Sequence, residues 1–397
     1  MKSVTIFLPG DFEDACIYMG RLLVVTAERA FYFYNYEQII QYLENQSTKS
    51  RSLLTYLFSR NDWLASNQFR VLAMNEGVRE TILHDIDELS RTPIELSSSQ
   101  KFIQTVHKLD ISASVFLDIT VYNQRVYIGA DSGLYHIDFE WTPYSVEMPS
   151  KPEKRHDAKS INTSAKYGSI NVSCGDEGLF CAFDEFRWVN SSQSTIKKFA
   201  EKSLRIGWFD TDLINYSTST SPSFLRGKHE SIQYGGADRE RKILVEVGTE
   251  IFELDYLFEN LLENGNIEDY TIQYVYNSNT TMFVHTLEGY FYVVGIQKSD
   301  GEHPKVRFTK TFKGENTRIL SVHPCKTGLI IETNNKVFLF ANGDWYHILD
   351  SEVLSVRTHS KSKRYQNIVV DTTEEGIYIT SMFDEIEWIG SEFKLKQ

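Results

Sequence analysis

The amino-acid sequence predicts an all-β fold in which one strand-rich unit is repeated along the chain. Two observations predict this fold. Over 397 residues, pairs of apolar runs recur on either side of an acidic turn, and aromatic residues reach 13% whereas only 8 residues are proline. Aromatic and β-branched runs favour strands, and scarce proline leaves strand interiors uninterrupted.

Three copies of the repeat are strong, and they span residues 125–141, 169–188 and 367–388. Each has a β-branched or aromatic run, an acidic turn with glycine, a second apolar run, and an acidic step before tryptophan. Five weaker copies lie at residues 22–35, 71–85, 243–255, 282–295 and 329–345. The eight turns lie near Glu28, Glu76, Ser132, Glu177, Gly248, Glu288, Asn335 and Glu375.

Each copy is predicted to form a β-hairpin, because the glycine-containing tips support a tight turn between two apolar strands. Flanking apolar runs add further strands, and three or four strands per repeat are typical of a β-propeller. We therefore predict a single β-propeller domain over residues 1–397. It has seven or eight four-stranded blades, eight by repeat count. Ser3 to Leu8 is expected to pair with the last blade and close the ring.

The acidic step before tryptophan resembles a degenerate Asp-box of sialidase-type propeller blades. It occurs at Asp184 to Trp188, at Asp384 to Trp388 and at Asp344-Trp345. The chain lacks the D-x-G that precedes tryptophan in that motif, and it also lacks the Trp-Asp dipeptide of WD40 repeats. The resemblance therefore implies a propeller fold and no particular activity.

The charge balance restricts the classes of partner. The chain has 41 Lys and Arg against 54 Asp and Glu, a net charge of −13. Because an acidic protein repels phosphate, a generally basic nucleic-acid binder is disfavoured. No run approaches the roughly 18 apolar residues of a membrane span, and no secretory signal is evident. We expect a cytoplasmic protein that does not bind a membrane.

The cysteines are scattered, at Cys16, Cys174, Cys181 and Cys325. This spacing indicates neither a disulfide framework nor a zinc site. Cys174 and Cys181 flank one turn, so they either face each other across a hairpin or are two free core thiols.

Two segments depart from the repeat, at about residues 36–62 and 210–242. In the first, Ile39, Ile40 and Leu43 have helical spacing. This segment is either a helix that docks another protein or an outer strand with its loop.

The second segment is rich in serine, threonine and glycine, and it is basic. Its basic residues are Arg226, Lys228, His229, Arg239, Arg241 and Lys242. It is either a solvated loop or a contact element for an acidic protein surface, a phosphate or a nucleic-acid strand. Two smaller basic loops, at residues 151–159 and 357–364, allow the same interpretations.

Acidic residues occupy equivalent turns of the repeat. They are Glu28, Glu76, Asp131, Asp176, Glu177, Glu288, Glu374 and Glu375. Since equivalent turns of a propeller share one face, we expect an acidic face that steers a basic partner. The alternative is that turns simply favour polar residues.

Searches for catalytic, nucleotide-binding and metal-binding motifs find none in this sequence. We therefore assign no catalytic residues, metal or cofactor. The leading hypothesis is a non-enzymatic protein-interaction scaffold or sensor subunit of a larger cytosolic assembly. One alternative is a carbohydrate-active or other hydrolytic propeller with its site at the central channel. Another is a subunit that contacts nucleic acid through its basic loops.

Overall fold

The structure of the chain is a computed structural model. It describes residues 1–49, 52–64, 66–142, 144–166, 169–183, 197–209, 212–218, 222–230, 245–253, 272–278, 281–297, 305–313 and 318–385. Within these ranges strands far outnumber helices, and the helices are concentrated between residues 36 and 89. The all-β prediction is confirmed.

The described residues form 31 strands. In chain order they are β1 (Lys2–Pro9), β2 (Asp14–Tyr18), β3 (Arg21–Val25), β4 (Ala30–Asn35), β5 (Ile94–Glu95), β6 (Ile103–Lys108), β7 (Phe116–Tyr122), β8 (Arg125–Ala130), β9 (Gly133–Asp138), β10 (Glu140–Trp141), β11 (Val146–Glu147), β12 (Glu153–His156), β13 (Asn162–Lys166), β14 (Ser169–Ser173), β15 (Leu179–Phe183), β16 (Lys197–Ala200), β17 (Arg205–Phe209), β18 (Asp212–Tyr216), β19 (Pro222–Glu230), β20 (Val245–Glu253), β21 (Ile272–Ser278), β22 (Thr281–Thr286), β23 (Tyr290–Gln297), β24 (Lys305–Lys313), β25 (Ile319–Cys325), β26 (Gly328–Thr333), β27 (Val337–Ala341), β28 (Asp344–Leu349), β29 (Ser355–Thr358), β30 (Ile368–Thr373) and β31 (Gly376–Phe383).

Six sheets have four strands each, and all their neighbouring strands are antiparallel. Their orders are β2-β3-β4-β6, β7-β8-β9-β12, β13-β14-β15-β16, β17-β18-β19-β20, β21-β22-β23-β24 and β25-β26-β27-β28. In the first sheet helices are inserted before the fourth strand, and in the second the small β10-β11 hairpin is inserted there. Repeated sheets of this kind are the blades of a β-propeller.

The remaining large sheet combines both ends of the chain, in the order β29-β30-β31-β1-β5. β1 is antiparallel to β31 over its whole length, from Lys2 opposite Phe383 to Pro9 opposite Gly376. The short β5 adds a parallel strand beside Ile6 and Phe7, which covers part of the outer edge of β1. The expected pairing of Ser3 to Leu8 with the last strands is therefore present, while closure of a ring stays a prediction.

In the part of the chain that the structure describes there are six four-stranded blades, and the sheet that combines the chain ends has five strands, so the predicted number of seven or eight four-stranded blades is wrong. Two weak copies of the repeat are not hairpins. Gly248 lies inside β20 and not in a turn. The copy at residues 71–85 is helical, because Asn75 caps a helix there and Ile82 and Ile86 have helical spacing.

Five α-helices lie between β4 and β6, with one short 3-10 helix at Ser99–Phe102. The α-helices are α1 (Tyr36–Gln46), α2 (Leu53–Phe58), α3 (Asn61–Leu64), α4 (Asn67–Met74) and α5 (Glu76–Leu89). Of the two interpretations of residues 36–62, the structure shows the helical one and not an outer strand, and the helical segment continues to Leu89. Docking of another protein by these helices stays a prediction.

The chain packs into two compact units. The first contains Met1–Leu109, Thr142–Val146 and Thr317–Gln397, and the second contains Asp110–Trp141 and Glu147–Asn316. In the first unit, one buried cluster joins the helices with the strands β1, β2 and β31. In the second, apolar side chains of successive sheets pack together, as Leu179 does with Ile206 and Leu213. A single domain over residues 1–397 stays a prediction.

Candidate functional site

The helices α1 to α5 form an insertion whose ends are set by side-chain caps. Asn35 caps α1 by accepting a hydrogen bond from the Gln38 backbone N–H at 3.1 Å. Ser66 caps α4 in the same way, with Phe69 as the donor at 3.2 Å. Asn75 ends α4 and caps α5, and its side chain accepts from Val78 N–H at 3.2 Å. These caps satisfy backbone donors that a helix start leaves free.

The insertion is fixed to the terminal sheet by buried hydrogen bonds. The Ser381 hydroxyl on β31 donates to the Leu57 carbonyl oxygen on α2 at 2.6 Å. The Asn367 backbone N–H donates to the side chain of Asn61 at 3.1 Å. Within the insertion, the buried Tyr36 hydroxyl donates to the Phe58 carbonyl at 3.1 Å, and burial raises the pKa of Tyr36 well above its usual value. These bonds therefore hold α2 and α3 against the sheet, while Phe69 of α4 and Ile86 of α5 pack in the same buried cluster.

Ion pairs add to this attachment at the surface. The Arg364 guanidinium lies 2.7 Å from the Glu37 carboxylate on α1, and the Lys2 amine lies 2.6 Å from Asp87 on α5. Both pairs are partly exposed, so each by itself contributes little to the free energy of folding. Arg364 belongs to the basic loop at residues 357–364. This arginine is therefore already paired within the chain.

An open apolar groove of about 590 Å³ lies among α2, α4 and α5. Its floor contains the buried side chains Leu53, Phe69 and Ile82. The remaining lining residues are Tyr56, Leu72, Asn75, Gly77, Val78 and Thr81. The groove thus has an apolar floor and a few polar groups at its edge, the composition of a binding site.

Aromatic rings stiffen the floor of the groove. Tyr56 meets Phe69 edge-to-face with ring centroids 5.0 Å apart, and it stacks on Trp63 at 6.1 Å. The Arg60 guanidinium lies over the Trp63 ring, 4.8 Å from its centroid. These contacts hold Tyr56 in place from two sides.

Large apolar side chains next to the groove are exposed to solvent. On α4, Val71, Leu72 and Met74 are 61%, 47% and 59% exposed, and on α5 Val78 is 36% exposed. These four residues are exposed on two consecutive helices, and Leu72 and Val78 also line the groove. We call the four residues the α4–α5 surface. Several exposed apolar side chains beside a groove are typical of a protein-interaction site.

The structure places most of the sequence-predicted acidic residues in turns that join the second and third strands of a sheet. In the first unit these are Glu28, Glu374 and Glu375. In the second unit they are Asp131, Asp176, Glu177 and Glu288. Glu76 is the exception, because it is the first residue of α5 and lies on the rim of the groove. Its assignment to a hairpin turn was wrong.

Some of the turn acids have local partners. The Asp131 carboxylate accepts hydrogen bonds from the Ser114 backbone N–H at 2.9 and 3.1 Å. Asp176 lies 3.0 Å from the Lys202 amine, and Glu375 accepts from the Tyr378 hydroxyl at 3.1 Å. These contacts stabilise the turns, and they also reduce the charge available to a partner.

The basic insertion is partly regular structure. Arg226, Lys228 and His229 lie on β19, where the backbone register places Arg226 opposite Glu250 and His229 opposite Glu246 on β20. Opposite charges at facing positions favour strand pairing. Arg239, Arg241 and Lys242 lie outside the described residues. The start of the 210–242 segment is therefore strand and not loop.

The α4–α5 surface was missed by the sequence analysis, although the signal was present. Phe69 and Ala73 are four residues apart, as are Ile82 and Ile86, and Asn75 supplies a cap between these pairs. This is helical periodicity. The Glu76-Gly77 dipeptide at the start of α5 was instead interpreted as a hairpin tip.

Within the described part of the chain, no three His, Cys, Asp or Glu side chains lie close enough together to hold a metal ion. None of the helices described here is long and apolar enough to cross a membrane. Cys174 and Cys181 are both free thiols, and so are Cys16 and Cys325.

No protein-family model and no curated protein matches this chain. Among solved structures, the β-propeller domain of Cps50 (Swd1) from Myceliophteria thermophila is 7% identical with a TM-score of 0.53, covering 96% of this chain and 100% of that chain. The computationally designed Ika8 protein is 9% identical with a TM-score of 0.45, covering 95% and 100%. The CNH domain of AfRom2 is 11% identical with a TM-score of 0.35, covering 68% and 94%.

The similarity to the Cps50 propeller, together with the repeated four-stranded sheets, defines this chain as a β-propeller protein. At 7% identity the similarity concerns the fold alone.

Proposed function

We propose that this chain is a non-enzymatic protein-interaction scaffold or sensor subunit of a larger cytosolic assembly. The observation that carries the proposal is the α4–α5 surface, an exposed apolar surface beside a groove on helices that are fixed to the sheets. Burying apolar side chains such as Leu72 and Met74 against a partner removes them from water, at about 25 cal/mol per Å².

The position of the insertion supports this function. Loops and insertions that leave a regular scaffold are where binding residues concentrate. Here Phe69 on α4 and Ile86 on α5 pack into the same buried cluster as β1 and β31, so the surface does not need to be ordered when a partner binds. A preorganised surface loses less entropy on association.

The acidic turns of each unit provide further contact residues in this proposal. Glu374 and Glu375 are exposed in the first unit, and Asp176, Glu177 and Glu288 are exposed in the second. Their role is to attract a basic region of the partner and to raise its rate of association.

The test is purification of the tagged chain from its native cells, with the mass of the complex measured by light scattering. We expect a stoichiometric complex that is lost in the Leu72→Asp variant, because a buried carboxylate at the interface opposes binding. Leu354→Asp is the matched control, since Leu354 is 52% exposed in the same unit and lies outside the α4–α5 surface. A chain that stays monomeric in its native extract would contradict the proposal.

A further inference from the structure

The edge of the groove formed by α5 is acidic. Glu76, Glu80 and His84 are spaced by four residues and are exposed, so they form one row along the helix. Glu80 comes three residues after the groove-lining Gly77, and His84 three residues after the groove-lining Thr81, so each pair is adjacent on the helix surface. The row therefore borders the groove along its length.

The charge of this row is only partly balanced within the chain. Arg79 on α5 lies 3.8 Å from Glu76, and His84 lies 3.7 Å from Glu88. On α4 the exposed polar side chains are Asn67, Gln68 and Arg70, none of them acidic, so the acidic edge is confined to the α5 side. An occupant that matches the groove carries positive charge along one edge only.

The secondary structure of the walls indicates the shape of the occupant. The groove is lined by α2, α4 and α5, whose backbone groups bond within the helices. A strand that docks by edge pairing needs free backbone N–H and C=O groups on the receiving side. A helix needs only an apolar groove for side chains at positions i, i+3 or i+4, and i+7.

We propose that the groove binds an amphipathic α-helix of another protein, with an apolar face inserted between α4 and α5 and with lysine or arginine along the edge that meets Glu80. This inference rests on the proposed interaction function and names the chemistry of the partner. Tyr56 and Phe69 receive the apolar face, while Leu72 and Val78 cover it from the two sides.

Two designed peptides of about 18 residues test the inference by fluorescence anisotropy with the full chain. Both carry leucines at helical spacing. One has lysines flanking the apolar face and its twin has glutamates at the same positions. We expect the lysine peptide to bind at least roughly tenfold more tightly than its twin at low salt, and this preference to shrink as salt increases.

Substitutions in the chain locate the site. Leu72→Asp and Val78→Asp are expected to weaken binding of the lysine peptide by at least roughly tenfold, and Glu80→Lys to reverse the preference towards the glutamate twin. Leu354→Asp and Glu352→Lys are the controls, because both residues are exposed in the same unit and outside the groove. These two variants should bind like the wild-type chain.

Three kinds of result overturn the inference. The first is a failure of the peptide experiments, in which either both peptides bind equally or Leu72→Asp leaves binding of the lysine peptide unchanged. Another is a dimer of the chain that Leu72→Asp dissociates, which assigns the groove to a second copy. The third is a tenfold gain in peptide affinity on removal of residues 386–397, which assigns it to the chain itself. If Leu72→Asp abolishes a native complex but both peptides bind equally, the interaction function stands and only this inference fails.

Discussion

Gly376, the first residue of β31, lies directly against the backbone carbonyl oxygen of Leu8 on β1. Its φ is +152°, and a Cβ atom at this position would stand 2.2 Å from that oxygen. No side chain fits there, because 2.2 Å is far inside van der Waals contact. The glycine therefore permits the N-terminal strand to pair with β31 at this end.

The same relationship recurs in two sheets of the second unit. At Gly133 a Cβ would lie 2.2 Å from the carbonyl oxygen of His156, and at Gly178 it would lie 2.2 Å from that of Ala200. In each case the glycine begins or precedes the third strand, and the oxygen belongs to the fourth strand. The glycine of the repeat thus serves two needs, the turn itself and the close approach of the next strand.

We expect Gly178→Ala to destabilise the protein by about 2–4 kcal/mol, because its φ of +114° is unfavourable for alanine and the methyl group collides with backbone. Gly77→Ala is the matched control, since Gly77 is helical and its nearest neighbour to an added Cβ is 3.6 Å away. That variant should be neutral or more stable by roughly 0.5 kcal/mol. The unfolding midpoint in urea measures both, and equal midpoints would refute the steric argument.

These two glycines also show why the sequence predicted only part of the fold. Glu177-Gly178 and Glu76-Gly77 are the same dipeptide, one at a hairpin tip and one at a helix start. The two dipeptides differ in their surroundings, because Gly178 lies against Ala200 on the fourth strand of its sheet and Gly77 contacts no strand. Hairpin turns were therefore predictable wherever apolar alternation continued on both sides, as around Glu288 and Glu375.

The candidate site was less predictable than the strands. The helix at Tyr36–Gln46 follows from the spacing of Ile39, Ile40 and Leu43. The attachment of α2 to β31 does not follow from the sequence, because Ser381 and Leu57 are far apart in the chain and meet only in the folded structure. The exposed state of Val71 and Met74 is likewise a result of packing, since their i, i+3 spacing is also that of a buried helix face.

A second prediction concerns Asp118 on β7, which connects two neighbouring sheets. One carboxylate oxygen accepts from the Thr163 backbone N–H at 2.7 Å and from the Thr163 hydroxyl at 2.9 Å, and the Asn162 amide donates to it at 3.2 Å. The other oxygen accepts from the Ile119 N–H at 2.9 Å. Removal of this carboxylate leaves several donors between the sheets without an acceptor.

We expect Asp118→Ala to lower the free energy of unfolding by about 3 kcal/mol, since each unsatisfied buried donor costs about 1–3 kcal/mol and water replaces some of the lost bonds. The change is measured by urea denaturation. Asp110→Ala is the control, because Asp110 belongs to the same unit and its side chain is 89% exposed. If both variants unfold at the same urea concentration, Asp118 does not hold the sheets together.

A third prediction follows from a buried carboxyl group. Asp371 on β30 is fully buried, and neither of its oxygens has a hydrogen-bond partner among the described residues. Val369 and Ile330 pack in one buried cluster, so Asp371 and Glu332, two residues further along their strands, face the same space. Burial first, and then the neighbouring Glu332 carboxylate, raise the pKa of Asp371 well above its usual value.

Because the folded state keeps a proton that the unfolded state releases, stability falls as pH rises above about 4, until pH passes the raised pKa. Asp371→Asn removes this titration. We expect the variant to gain stability relative to wild type as pH rises from 4 to 8, measured by thermal unfolding. Glu352→Gln, at an exposed carboxylate of the same unit, should follow the wild-type profile. A constant difference between Asp371→Asn and wild type over this range would show that Asp371 is not protonated in the fold.

The fourth prediction concerns His359, which makes stability fall as pH decreases, whereas Asp371 makes stability fall as pH increases. The Nε2 atom of His359 accepts a hydrogen bond from the Ile17 backbone N–H at 3.0 Å, so this nitrogen carries no proton. Burial is the main cause that lowers the pKa of His359 to about 4, and the Arg357 charge contributes in the same direction. The unfolded chain binds a proton near pH 6.5 and the folded chain does not, so stability is lost as pH falls from about 6.5 to about 4. The shift corresponds to a loss of roughly 3 kcal/mol at most.

His359→Gln keeps an acceptor for Ile17 without a titrating group. We expect the variant to show a flatter loss of stability than wild type between pH 6.5 and 4 in urea denaturation. His84→Gln is the control, since His84 is exposed on α5 and its side chain is 67% accessible. Parallel profiles for wild type and His359→Gln would mean that His359 takes up its proton in the folded state, and that the hydrogen bond from Ile17 does not keep Nε2 unprotonated.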